Sequence, residues 1–303
     1  MDVEIVKSNG QKFRLSDYGV VQDFVVNSID RSVTRESVDG RKGSVDYGTN
    51  IGDRSISVPM IFKARDLLDY AHLRDELFEI LDDDEPFYIR EMRRKDYLQY
   101  EFVDFGQSPM WSNGVENEYV NGKHYKVRLD SSISPEQWDD KPNGDITIEF
   151  VTSGLPFAES IYTTLELHDS GYSATAEKYG LVDNIDDEKV QYRFTSNNFK
   201  VYNAGNVAVE PESMSLNIIV TAVTSTNNFT IRNKTTGEEV VLKRESKGSH
   251  FRIQGMVISL GSITNIFRDT NRRFISLVPG DNQFEILNGT FEEIRFEFKF
   301  LYK

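Results

Sequence analysis

The chain has 303 residues, 38% hydrophobic, 12% aromatic and 28% charged, enough material for about two separate cores, so fibrous and miniprotein readings fall away. It contains no cysteine, which excludes a disulfide framework, a thiolate metal site and a cysteine nucleophile. Its 35 basic and 49 acidic side chains leave a net charge of −14, the wrong sign for a ligand of duplex nucleic acid or anionic membrane, because phosphate affinity comes mostly from Lys and Arg.

The opening Met1-Asp2-Val3-Glu4 lacks the basic end and apolar stretch of a signal peptide, and no run approaches the roughly 18 apolar residues of a membrane span. The protein is expected to stay where it is made or to leave by cell lysis. Strand alternation is clearest at Ile56, Val58, Met60 and Phe62, at Ile146, Ile148 and Phe150, and at Ile294, Phe296, Phe298 and Phe300. Between such runs lie turn sequences: Asn113-Gly114, Asn121-Gly122, Asn143-Gly144 and Pro279-Gly280-Asp281-Asn282, whose residues accept positive φ or preset a bend.

One segment, about Lys63 to Leu81, has helical spacing and is predicted as the single long helix. Ala64, Leu67, Leu68, Ala71, Phe78 and Leu81 form one stripe, and Leu73, Leu77 and Ile80 lie on the opposite side. A single sheet covers only one face. The second is either buried in the helix's own domain or covered by a neighbouring subunit. The helix ends in Asp82-Asp83-Asp84-Glu85-Pro86, with acids where the macrodipole disfavours them. The spacing is not that of a calcium loop, and no metal is assigned.

A boundary is predicted near Gly154-Leu155-Pro156, dividing the chain into a first domain at 1–158, a linker or acidic loop at 159–189 and a second domain at 190–303. The first reads as β with one helix, the second as an all-β sandwich or barrel; the fold class is mainly β.

Chemistry is sparse. His72, His124, His168 and His250 are scattered with no two at ligand spacing. No G-x-S-x-G, H-E-x-x-H, P-loop or G-x-G-x-x-G motif occurs, and acid pairs such as Asp139-Asp140 and Glu292-Glu293 are uninformative in so acidic a chain. The sequons at Asn228, Asn233 and Asn288 read as ordinary loop residues. Both tryptophans, Trp111 and Trp138, lie in the first half; they pack locally or anchor an interface from the Gly106 to Gly144 loops. No enzyme activity and no cofactor are expected.

Several stretches, taken in order, resemble the distal tail protein (Dit) family of siphophages infecting Gram-positive bacteria. In the first half these are Phe13-Arg14-Leu15-Ser16-Asp17-Tyr18-Gly19-Val20, then Val38-Asp39-Gly40-Arg41-Lys42-Gly43 with Val45-Asp46-Tyr47-Gly48-Thr49, then the Arg54 to Phe62 strand. In the second half they are Tyr202-Asn203-Ala204-Gly205-Asn206, the segment Phe229 to Gly237, and Leu277 to Phe284. The resemblance covers nearly the whole chain.

It implies a β-sandwich belt domain with one long helix that forms a homohexameric ring, and a galectin-like β-sandwich second domain. It also implies a structural virion protein at the tail tip, assembled in the host bacterial cytoplasm. Such a protein joins the tail tube to the tail-associated lysin or central fibre and docks baseplate or receptor-binding proteins. Six copies would carry six times −14 charges around an axial channel, a field that repels passing DNA.

Ring closure needs two different surfaces on each subunit. The expected interface residues are Asp39, Gly40, Arg41, Lys42 and Gly43, the helix face of Leu73, Leu77 and Ile80, and Trp111 and Trp138. The alternative function is a carbohydrate-binding module holding the phage to the host wall; the second half has no tryptophan for sugar stacking. A glycosidase is a third, remote reading.

Overall fold

The structure, a computed structural model, describes residues 1–37, 39–40, 42–92, 121–180, 182–263 and 265–303. The chain forms two compact units, Met1–Pro156 and Phe157–Lys303.

The first unit begins with β1 (Asp2–Val6), β2 (Lys12–Arg14), β3 (Gly19–Val21) and β4 (Val25–Val26). It continues through β5 (Arg31–Ser37), β6 (Ser44–Ile51), β7 (Ser55–Lys63), α1 (Asp69–Leu81) and β8 (Phe87–Met92). After β8 come β9 (Lys123–Leu129), β10 (Glu136–Gln137) and β11 (Asn143–Thr152). The main sheet runs β2-β1-β8-β9-β11-β7-β3, with β10 beside β11 and β4 beside β7, whereas β5 and β6 pair only with each other.

Alternation places the core. On the buried faces of β7 and β11, Ile56 lies opposite Phe150, Val58 opposite Ile148 and Met60 opposite Ile146, so each cross-strand pair contributes to one apolar layer. Phe62 faces Gly144 in the same register. A Cβ on Gly144 would lie 2.5 Å from the Glu136 carbonyl oxygen and 3.0 Å from the Tyr70 hydroxyl. The glycine thus makes room for the Tyr70 ring of α1, which meets Phe62 edge-on at 5.1 Å.

The helix starts later than its sequence pattern suggests. Asp66 accepts hydrogen bonds from the Leu68 and Asp69 N–H groups, and Asp69 accepts from the Arg65 N–H. These bonds close the turn at 65–68 that leads into α1, whose first residue is Asp69. The Asp69 N–H bond, the largest favourable influence, holds the Asp66 carboxyl below its ordinary range. Beyond the helix, Asp83 is paired with Lys7 at 2.8 Å, which offsets the acids at that end.

The second unit contains β12 (Ala158–Ser160), α2 (Thr164–Ser170), α3 (Tyr172–Tyr179), β13 (Arg193–Phe194) and β14 (Asn198–Asn203). Next come β15 (Leu216–Ser225), β16 (Phe229–Asn233), β17 (Glu238–Leu242), β18 (Ser246–Gln254) and β19 (Val257–Leu260). It ends with β20 (Gly280–Leu287), β21 (Glu293–Phe298) and β22 (Leu301–Tyr302). One sheet is β13-β21-β15-β18-β19 and the other β14-β20-β16-β17. Aromatic contacts join them: Phe284 of β20 lies 4.8 Å from Phe296 of β21, and Phe229 of β16 meets Phe251 of β18 at 6.3 Å. This is a β-sandwich.

Two expectations change here. Residues 159–189 are not a linker but part of this unit. A capping box on Thr163 and Glu166 starts α2, and the buried Thr164 hydroxyl donates to the Phe296 carbonyl and accepts from the Phe298 N–H. The acidic stretch is tied down by Tyr302, whose hydroxyl donates to the Asp183 carbonyl, and by Tyr202, which donates to Asn184. Pro279 to Asn282 is also not a hairpin turn. β20 begins at Gly280, and the fully buried Asn282 amide donates to the Val278 and Gly280 carbonyls, fastening the kink.

Candidate interface sites

β5 and β6 form a hairpin with Arg31 opposite Ile51, Glu36 opposite Val45 and Ser37 opposite Ser44. Its foot is closed by bonds from the Asp30 N–H to Asp53 and from the Gly52 N–H to Asp30. No residue of either strand is buried, and Val33, Tyr47 and Ile51 are 42%, 61% and 57% exposed. Asp39, Gly40, Lys42 and Gly43 sit exposed at its tip, where Gly40 and Gly43 have φ of +81° and +89°. That backbone is available to glycine at little steric cost and strained for other residues. Arg41 lies outside the described residues.

The other expected face is corrected. Leu77 is fully buried and Ile80 almost so, both in the first unit's own core, and Leu73 packs against that cluster. With Tyr70 and Leu81 they make one inward stripe at spacings of three and four. The apparent second face arose because Leu67 and Leu68 were read as helical. They precede α1 and are 53% and 86% exposed. Leu77 and Ile80 are therefore core residues rather than an open second face, and Leu73 is partly buried against the same cluster.

Residues 8–152 match the family model described as a phage tail protein RIFT-related domain. The Dit protein (gp 19.1) of phage SPP1, described as a paradigm of the hub adsorption apparatus of phages infecting Gram-positive hosts, aligns with a TM-score of 0.63. The alignment covers 98% of this chain and 99% of that one at 14% identity. The chain has the Dit fold, and its first unit carries the match to the phage tail protein domain. Two chains of the phage P2 baseplate in its activated conformation, one with strontium and one with calcium, align at a TM-score of 0.41. They share 12% and 11% identity over 98% and 99% of this chain and 97% of each of those. No curated protein is significantly similar in sequence.

Elsewhere in the first unit, Trp138 stands half-buried on the β10–β11 hairpin. Its indole N–H donates to Asp145 at 2.7 Å and the Lys141 ammonium lies 5.8 Å from its ring. Its polar tip is thus already used within its own hairpin. Trp111 lies outside the described residues. Sequence reasoning missed Arg54, which is 5% exposed at the end of β7. Its guanidinium lies 5.8 Å from the Tyr125 ring, and its Nε has no hydrogen-bond partner. A polar residue in phase with Ile56 and Val58 was the available clue.

Proposed function

We propose that this protein is a ring-forming structural adaptor at the phage tail tip. Its first unit closes a homo-oligomeric ring, a hexamer, and its second unit docks baseplate or receptor-binding proteins. The ring joins the tail tube to the tail-associated lysin or central fibre, in a virion assembled in the host cytoplasm, and the protein works by assembly rather than catalysis.

The β5–β6 hairpin carries this reading. An isolated two-stranded hairpin is marginally stable in water, yet this one pairs Arg31–Ser37 with Ser44–Ile51 without burying any residue of either strand. Its exposed Val33, Tyr47 and Ile51 gain cover when a neighbouring copy receives it, and a head-to-tail contact of that kind closes a ring. Charge supports the reading. The first unit holds 19 basic and 30 acidic side chains, net −11, against 16 and 19, net −3, in the second. A lumen formed by the first unit would repel passing DNA; a ring whose channel is lined by Lys and Arg would remove that part of the reading.

The test is the mass in solution by light scattering, for the full chain and for a variant in which residues 34–49 are replaced by Gly-Gly. Both are measured with and without the neighbouring tail proteins. The full chain is expected to form a closed oligomer, alone or on its neighbours, and the variant to remain a folded monomer. A full chain that is monomeric under every condition overturns the proposal.

A further inference from the structure

The second unit has eight arginines. Arg193, Arg232, Arg244 and Arg295 pair with acids, and Arg252 donates to the Gly261 carbonyl. Arg268, Arg272 and Arg273 have no acid or carbonyl partner among the described residues, and all three are exposed on one loop, 267–274. In a chain with a surplus of acids, three neighbouring guanidiniums without counter-ions are an unused donor set.

The loop that carries them is held rigidly against the edge of β17. The Asn271 side chain donates to the Glu239 carbonyl and accepts from the Val241 N–H, while the Asn271 N–H donates to the Val241 carbonyl. The Lys243 N–H donates to Asp269, whose carboxylate is occupied by Arg244. Thr270 accepts from the Arg272 N–H, with Arg272 itself at φ +59°. Phe267 and Phe274 stack at 5.6 Å and brace the two ends of the loop. A loop fixed in this way has little conformational entropy left to lose on binding.

Beside it opens a cleft of about 540 Å³, lined by Arg272, Arg273, Phe274, Ser276, Glu238 and Pro211 among others. Glu238 is held by one oxygen, Oε2, which accepts from the Ser276 N–H, the Ser276 hydroxyl and the Thr236 hydroxyl. Burial pushes its carboxyl up, but these bonds outweigh it and keep the group below its ordinary value. The cleft therefore presents guanidinium donors on one side and a fixed, ionised acceptor on the other. A polyphosphate offers acceptors alone and has nothing for Glu210, Glu212 and Glu238; a peptide's carboxylates meet the same repulsion there, so what separates the two ligands is the donor groups a peptide also brings. An acidic polypeptide brings carboxylates for the arginines and amide N–H donors for Glu238.

We propose that this cleft and the 267–274 loop are the docking site for an acidic polypeptide segment of another tail protein. The inference rests on the reading of the second unit as a dock and specifies what it takes.

The probe is a fluorescent hexaglutamate peptide, titrated against the full chain by anisotropy at low and high salt. Arg268→Gln, Arg272→Asn and Arg273→Gln together are expected to weaken binding by roughly ten-fold, the modest loss expected of three exposed pairs. Asn at 272 tolerates the positive φ, and circular dichroism checks that the variant is folded; the pair Arg268→Gln and Arg273→Gln, which leaves 272 untouched, should weaken binding in the same direction. Lys178, Lys200 and Lys247 changed to Gln remove the same charge elsewhere on the unit, on α3, β14 and β18, and should leave affinity within about two-fold.

Unchanged binding by the arginine variants, equal weakening by the lysine variant, or tighter binding of inorganic polyphosphate than of hexaglutamate overturns the proposal. Light scattering on the same samples separates the two readings. A chain that assembles but ignores the peptide loses this site and keeps the adaptor role. A chain that binds the peptide through these arginines but never assembles loses the ring and keeps the site.

Discussion

Two antiparallel strand pairs in the first unit, similar in length, obey opposite rules. In β7 and β11 every second residue is buried and opposes an apolar partner or Gly144; in β5 and β6 none is buried. The first pair owes its geometry to the core beneath it, which burial stabilises by roughly 25 cal/mol per Å² of apolar surface. The second pair has only its own ladder and the bonds at its foot, a marginal arrangement in water, and under the proposed function its exposed Val33, Tyr47 and Ile51 are the surface a neighbouring copy covers. Apolar residues at helical spacing are instead satisfied by the nearest core.

The contrast can be broken at the core. Phe150→Ala should destabilise the first unit by about 3–5 kcal/mol, read as a lower denaturant midpoint, because Phe150 is fully buried between Ile56 and the Phe87 ring, 6.0 Å away. A loss under 1 kcal/mol would mean the pair is not held by that layer. Gly144→Ala should cost about 1–3 kcal/mol through overpacking, since the new methyl meets the Glu136 carbonyl. Arg54→Met is expected in the other direction, raising stability by roughly 1 kcal/mol as a buried guanidinium whose Nε lacks a partner is replaced by an apolar chain of similar length. A loss instead would show that its contact with Tyr125 is net favourable.

A smaller effect concerns pH. The Lys7 hydrogen bond, the largest influence, holds the Asp83 carboxyl below its ordinary value. A carboxyl lowered in the folded state adds stability that is fully present above the unfolded value of about 3.9 and lost as pH falls through the folded value. Asp83→Asn should flatten the acid limb of the stability curve below about pH 4; an unchanged limb would remove that assignment. The smallest stability change is expected at the hairpin itself. Val33→Ser, Tyr47→Ser and Ile51→Ser together should leave the melting midpoint almost unmoved, within about 0.5 kcal/mol, while reducing the assembled mass. A large loss of midpoint would show that those side chains serve the unit's own fold.

Much of this was legible along the chain. The alternation at Ile56 to Phe62, Ile146 to Phe150 and Ile294 to Phe298 became buried strand faces, since a period of two survives any packing that keeps one face dry. The glycines at 40 and 43 marked the hairpin tip by the backbone they permit. The helix was legible as a helix but not in its phase. Leu67 and Leu68 lie exposed before α1, and the residues that are buried, Tyr70, Leu77, Ile80 and Leu81, fall on one face. Residues 159–189 looked like a linker because their polarity hides the few groups that anchor them, Thr164 and the tyrosines that reach Asp183 and Asn184.

By itself, then, the sequence determined that the protein is mainly β, without cysteine and net acidic, because composition and local periodicity act through short-range physics. Only the tertiary structure decided which apolar residues find cover at home and which do not, and which arginines lack a counter-ion. Both are properties of what lies across from a side chain, and long-range pairing sets that rather than the residue's own neighbours in the chain.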